Sequence, residues 1–149
     1  MIVLDSNVIV HCIDAGIRIP KGELLVPDDL QDEYEVMKIR HGSHKVPTVT
    51  NISDRPDYDD AYYLQRYAHY LNEYGEVYLA RMSGLADVSI LALVDCLVND
   101  YGRDGQQTSF DLGTELTEIV TVITDDMTLA SRLTAEFKDS VNVLRSSDL

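Results

Sequence analysis

Short apolar runs recur along the chain, and each is bounded by polar or turn-forming residues. Runs of this kind, without regularly alternating polar positions, are typical of strands that are buried on both faces of a sheet. They predict strands or short extended pieces at Met1–Leu4, Leu24–Pro27, Val46–Thr50, Ile119–Ile123 and Val141–Leu144.

Segments with helical character lie between these runs. Ser6, Asp28, Ser83 and Thr124 stand at the expected starts, where a short side-chain oxygen can accept a backbone N–H and cap a helix. Gly16 is suited to ending the first helix, since glycine readily adopts the left-handed conformation found there. The helices predicted in this way are Asn7–Asp14, Asp29–Arg40, Asp59–Ala80, Gly84–Asn99 and Met127–Lys138.

Strands separated by helices predict an α/β fold, a three-layer α/β/α sandwich with a mostly parallel central sheet. The 149 residues suit a single domain, and no repeat or linker divides them. Residues 101–113 contain three of the eight glycines and are predicted to form a loop. Active and binding sites of parallel sheets usually lie beyond the carboxyl ends of the strands, so residues that follow a strand are the first functional candidates.

The charge balance narrows the classes of function. The chain has 26 acidic residues against 12 Lys and Arg, which gives a net charge of −14. This acidic excess argues against a protein that binds a nucleic-acid duplex through an extended basic face, but it is compatible with a small basic groove. A large acidic excess is also one of the features of proteins from a high-salt cytoplasm.

The sequence predicts a cytoplasmic protein without a membrane segment. Its longest apolar stretch, Ile90–Val94, is far shorter than the roughly 20 residues that a membrane-spanning helix needs. Asp5 interrupts the only place where a secretory signal would lie. Cys12 and Cys96 lie in apolar helical patterns, so we expect both to be reduced core residues.

Acidic residues with apolar flanks are the main candidates for chemistry: Asp5, Glu33, Asp87, and the pair Asp125 and Asp126. Burying an isolated carboxylate costs several kcal/mol unless it is paired, hydrogen-bonded or bound to a cation. Mg²⁺ and Mn²⁺ prefer oxygen ligands, and such ions can activate water and stabilise the leaving oxygen of a phosphodiester. Any one of these acids also suits a helix cap, but the four positions together favour metal-dependent phosphate chemistry.

Four segments resemble, in order, the motifs of the PIN-domain nucleases, and the resemblance extends over residues 1–145. Each resembles a strand end or helix start that carries an acidic residue in that family. The segments are Asp5-Ser6-Asn7-Val8-Ile9, Val26-Pro27 with Leu30 and Glu33, Gly84-Leu85-Ala86-Asp87, and Val122-Ile123-Thr124-Asp125-Asp126 with Leu129.

The resemblance implies a PIN fold and an endoribonuclease that cleaves single-stranded RNA with Mg²⁺ or Mn²⁺. It also implies a homodimer and a possible antitoxin partner, because small members of the family are often VapC-type toxins. By position, the acids that would bind metal and act in catalysis are Asp5, Glu33, Asp87 and Asp126, with Asp125 as a neighbour able to share the role. Asn7 and Thr124 are supporting candidates that would orient an acid or a water.

Two other functions stay open on the sequence. A non-catalytic PIN-like scaffold that binds RNA or protein would have the same fold, although it would have no reason to keep a costly acidic cluster. A phosphatase or phosphotransfer domain of the haloacid-dehalogenase type would need an acid two residues after Asp5, where this chain has Asn7.

Five tyrosines form one stripe on the predicted helix Asp59–Ala80, at spacings of three and four residues: Tyr63, Tyr67, Tyr70, Tyr74 and Tyr78. We favour packing of this stripe against the sheet or a neighbouring helix. A protein interface and stacking on RNA bases are the alternatives.

Overall fold

The computed structural model of the protein describes residues 1–55, 58–80, 85–99 and 119–149, with the backbone alone at 75–80. Its strands are β1 (Ile2–Leu4), β2 (Leu24–Val26), β3 (Thr50–Asn51), β4 (Val120–Ile123) and β5 (Val141–Leu144). They form one sheet in the order β3-β2-β1-β4-β5, and every neighbouring pair is parallel. The α/β class and the parallel sheet predicted from the sequence are therefore confirmed.

Helices cover both faces of this sheet and complete the three layers. They are α1 (Ser6–Ala15), α2 (Gln31–His41), α3 (Asp60–Ala80), α4 (Ala86–Val98) and α5 (Met127–Phe137). α1 and α2 pack on one face, whereas α3, α4 and α5 pack on the other.

The pleat of the strands divides the core in two. Val3 and Leu25 belong to the cluster with α3, α4 and α5, and their neighbours Leu4 and Val26 belong to the cluster with α1 and α2. Consecutive strand side chains point to opposite faces, so a strand covered on both sides is apolar throughout. This explains why β1 and β2 read as continuous apolar runs.

Three residues of the tyrosine stripe pack inside the protein. Tyr63, Tyr70 and Tyr74 are buried in the cluster that joins α3 to α4 and the sheet. The rings of Tyr70 and Tyr74 are nearly parallel, with centroids 6.3 Å apart. The packing interpretation is confirmed for these three residues, while the side chain of Tyr78 lies outside the described part of the chain.

Two helices are capped by a neighbour of the residue predicted to cap them. Asp5, not Ser6, caps α1, because its carboxylate accepts the backbone N–H of Asn7 at 3.4 Å. Asp126, not Thr124, caps α5 through the N–H groups of its first turn. In both cases the carboxylate takes the capping position, and the hydroxyl contacts a residue far away in sequence.

The remaining differences concern turns and one strand. Asp28–Leu30 forms a 3-10 turn, so α2 begins later than predicted. Of the predicted extended piece Val46–Thr50, only its last residue lies in β3. The Ser83 cap and the loop at residues 101–113 fall outside the described residues.

Two further expectations can be compared with the described residues. Within them, no helix has the length and apolar character needed to cross a bilayer. The side chains of Cys12 and Cys96 are both buried in the core, as predicted.

Candidate active site

The carboxyl ends of the two central strands bring the first acids together. Asp5 follows β1, is only 7% exposed, and accepts a hydrogen bond from the fully buried Thr124 hydroxyl at 2.9 Å. Thr124 follows β4, and its Oγ1 accepts the backbone N–H of Asp126 at 3.1 Å. One threonine therefore connects Asp5 to the residue that caps α5.

Asp87 lies in the first turn of α4 and interacts electrostatically with Asp5 and Asp126. It is 9% exposed, and its pKa is raised to about 7 by burial first and then by the negative charges of Asp126 and Asp5. Burial also raises the pKa of Asp5, and the charges of Asp126 and Glu33 act in the same direction against its hydrogen bonds from Thr124 and Asn7. These carboxyl groups therefore form one electrostatic cluster.

Glu33 joins the cluster from the first turn of α2. Its Oε2 accepts a hydrogen bond from Ser6 Oγ at 3.0 Å, and its charge acts on the pKa of Asp5. Ser6 was predicted only as a cap, so its role in holding Glu33 was missed. The neighbouring Tyr34 was also missed: its buried hydroxyl donates to the Leu4 carbonyl at 3.1 Å and fixes α2 against the end of β1.

Asp126 is fixed by the helix that it caps. Its Oδ1 accepts the backbone N–H groups of Thr128 at 2.8 Å and Leu129 at 3.1 Å. Both bonds go to Oδ1, no described residue donates a hydrogen bond to Oδ2, and the Asp126 side chain is exposed.

Asp125 points away from the cluster, towards the C-terminal turn Ser146–Asp148. Its carboxylate accepts the backbone N–H of Ser146 at 2.9 Å and the Ser146 hydroxyl at 2.7 Å. These bonds lower the pKa of Asp125. Of the acidic pair, Asp126 is the residue whose charge raises the pKa values of Asp5 and Asp87. Asn7 is exposed, and its backbone N–H rather than its side chain contacts Asp5.

The oxygen ligands of the acidic cluster are of the type that a hard cation such as Mg²⁺ prefers. Asp5, Glu33, Asp87 and Asp126 offer only carboxylate oxygens, and none of them forms an ion pair with a basic residue in the described ranges. Those ranges contain no group of three or more His, Cys, Asp or Glu side chains placed to hold a metal ion. Mg²⁺ needs fewer than three protein ligands, because it commonly binds one or two carboxylates and completes its coordination shell with waters and substrate phosphates.

Comparison with known proteins adds no relative. The chain matches no protein-family model, no curated protein and no solved structure.

Proposed function

We propose that the protein is an endoribonuclease that uses Mg²⁺ or Mn²⁺ to cleave single-stranded RNA, similar to PIN-domain nucleases. The observation that carries the proposal is the burial of Asp5 and Asp87 beside Asp126, without an ion-pair partner for any of the three among the described residues. The order of the four acids along the chain supports it through the resemblance to that family.

The physical argument starts from the cost of this cluster. A buried carboxylate without a basic partner loses several kcal/mol of hydration, and a second negative charge nearby increases the cost. Helix N-termini at Asp5, Asp87 and Asp126 recover only ~0.3–1 kcal/mol each. A divalent cation would remove the repulsion, so the arrangement suits binding of a cation better than it suits stability.

Each acid has a role in this proposal. Of Asp5, Asp87 and Asp126, one or two would bind the ion directly and the rest would act through its bound waters. Glu33 would complete its surroundings or orient the attacking water. The ion would supply activation of water and charge stabilisation at the leaving oxygen of the phosphodiester. Thr124 keeps Asp5 in place and Ser6 keeps Glu33 in place, so both act as positioning residues.

The charge of the chain and the family resemblance indicate the substrate and the partners. The net charge of −14 disfavours an extended duplex interface, which supports a single strand that enters a small site. The family resemblance extends the proposal to a cytoplasmic homodimer and to a toxin neutralised by an antitoxin.

Calorimetric titration with Mn²⁺, together with cleavage of a labelled single-stranded RNA, tests the proposal. We expect the wild type to bind Mn²⁺ and cleave, and we expect Asp5→Asn and Asp126→Asn to lose both activities. Asp14→Asn is the matched control, because Asp14 is exposed at the far end of α1. A folded wild type that neither binds Mn²⁺ nor cleaves RNA would overturn the proposal.

A non-catalytic scaffold is the second candidate. It is favoured by one observation: no three acids of the described residues are placed to hold an ion. Binding of RNA that is unchanged by Mn²⁺ and by Asp5→Asn, without cleavage, would support the scaffold instead.

A further inference from the structure

A groove between α1 and α2 extends away from Glu33. It encloses about 410 Å³ and is lined in part by three apolar side chains, Val10, Val36 and Met37. Val36 is 45% exposed, so its side chain is accessible to a ligand in the groove. The charged lining residues lie at opposite ends of α2: Asp32 and Glu33 in its first turn, and Arg40 and His41 in its last turn.

The groove starts at the candidate active site. Glu33 and Ser6, which form a hydrogen bond, belong to both the groove and the edge of the sheet where the acids meet. Arg40 is seven residues after Glu33 on α2, which places it ~10 Å further along the helix axis. A chain bound at the acids would therefore continue directly into the groove.

The two ends of the groove differ in charge. Arg40 is exposed and forms no ion pair within the described ranges, whereas Lys38 on the same helix pairs with Glu35 at 3.3 Å. On a protein with a net charge of −14, an unneutralised guanidinium beside an apolar lining is suited to an anion. An occupant with an apolar surface and a negative group fits this end of the groove, and a nucleotide, with the face of its base and its phosphate, has both.

We propose that this groove holds the nucleotide next to the scissile phosphate of a single-stranded RNA. The base lies against Val10, Val36 and Met37, and its phosphate contacts Arg40. This inference rests on the proposed ribonuclease function, and it assigns to α2 a role in substrate binding separate from the acids.

Fluorescence anisotropy of a short labelled oligoribonucleotide in EDTA tests the groove without cleavage. We expect Val36→Glu to raise Kd about tenfold, because it places a negative charge beside the RNA, and Arg40→Ala to raise Kd about tenfold, because it removes the phosphate contact. Ile39→Glu adds the same charge to the same helix outside the groove, at a residue that is 84% exposed. Arg18→Ala removes an exposed arginine elsewhere. Both controls are expected to stay within about twofold.

The outcomes separate the two proposals. Equal binding by all five proteins, or no binding by the wild type, overturns the groove inference. Cleavage of the same RNA in Mn²⁺ is assayed in parallel, so groove-dependent binding without cleavage would keep the groove and reject the ribonuclease. Light scattering provides a third outcome: if Val36→Glu dissociates a dimer and leaves RNA binding unchanged, the groove is a protein contact and the inference is wrong.

Discussion

The Thr124 hydroxyl controls the geometry of two acids at once. It donates to Asp5 Oδ2 at 2.9 Å and accepts from the Asp126 backbone at 3.1 Å, so both its proton and a lone pair are used. Because Thr124 is fully buried, these bonds do not compete with water. The relative positions of Asp5 and Asp126 are therefore set by the end of β4, before any ligand binds.

Asp87 makes the stability of the metal-free protein depend on pH. Its pKa is about 7 when folded and about 3.8 when unfolded, so the folded state binds the proton more tightly between these values. The stability that this proton contributes is present below about pH 4 and is lost as the pH rises to about 7. Asp5, whose pKa is also raised, acts in the same direction.

Asp87→Asn is therefore expected to flatten the fall in melting temperature between pH 4 and pH 7. The amide keeps the shape of the side chain and cannot lose a proton. Thermal unfolding in EDTA across this range, followed by circular dichroism, provides the measurement. Asp14→Asn should leave the wild-type slope unchanged, and identical slopes for Asp87→Asn and the wild type would contradict the prediction.

Individual residues show which site features were predictable. Asp5, Asp87 and Asp126 could be found because apolar flanks and strand ends are visible in a single sequence. Thr124 was a supporting candidate only through the family resemblance, and the role of Ser6 was not predicted, because their hydroxyls contact acids 119 and 27 residues away. A local pattern favours a cap for both residues, and tertiary contacts override that preference.

At the scale of elements, α3 and α4 are joined by a buried carboxylate. Asp95 is 2% exposed and accepts hydrogen bonds from Tyr62, Tyr70 and Asn99 at 2.6–2.9 Å, as well as from Arg66 at 2.7 Å. Burial acts to raise the pKa of Asp95, but these bonds outweigh it and hold the pKa below its usual value. Asp95 therefore has a structural role, and none of these hydrogen-bond partners belongs to the acidic cluster around Asp87.

Asp95→Asn is expected to reduce the free energy of unfolding by ~1.5–3 kcal/mol, the cost of losing hydrogen bonds to a charged group. The larger cost of a fully buried ion pair, ~3–5 kcal/mol, is not expected, because Arg66 is 28% exposed and can regain water. Urea unfolding measures the difference. Glu73→Gln breaks an exposed pair with His69 on the same helix and should cost at most ~1 kcal/mol. Equal effects of the two changes would disprove this role of Asp95.

Elements differed in how well the sequence predicted them. α4 is buried at every residue from Asp87 to Leu97, and its continuous apolar character made that burial predictable. β3 has only two residues, too few for any periodic signal, and its place beside β2 depends on pairing that no local pattern records. Three of the four partners of Asp95 precede it by 25 to 33 residues, so its environment could not be predicted from local sequence.

For the whole molecule, two electrostatic effects overlap, and they respond differently to ions. The net charge of −14 causes self-repulsion that any salt screens, with a Debye length of ~10 Å at 0.1 M. The cluster of Asp5, Asp87 and Asp126 is local and partly buried, so monovalent salt screens it much less. A bound divalent ion would stabilise the folded state by ~2.7 kcal/mol at a concentration of about one hundred times its Kd.

We therefore expect Mn²⁺ to raise the melting temperature of the wild type more than NaCl does at matched ionic strength. Asp5→Asn should lose this extra increment, because it removes a proposed ligand, and should keep the increment from NaCl, because the net charge is almost unchanged. The increments are compared within each protein, so any stabilisation from relieved repulsion in the variant cancels. If Mn²⁺ acted no more strongly than NaCl on the wild type, the acidic cluster would be part of the general surface charge and not a metal site.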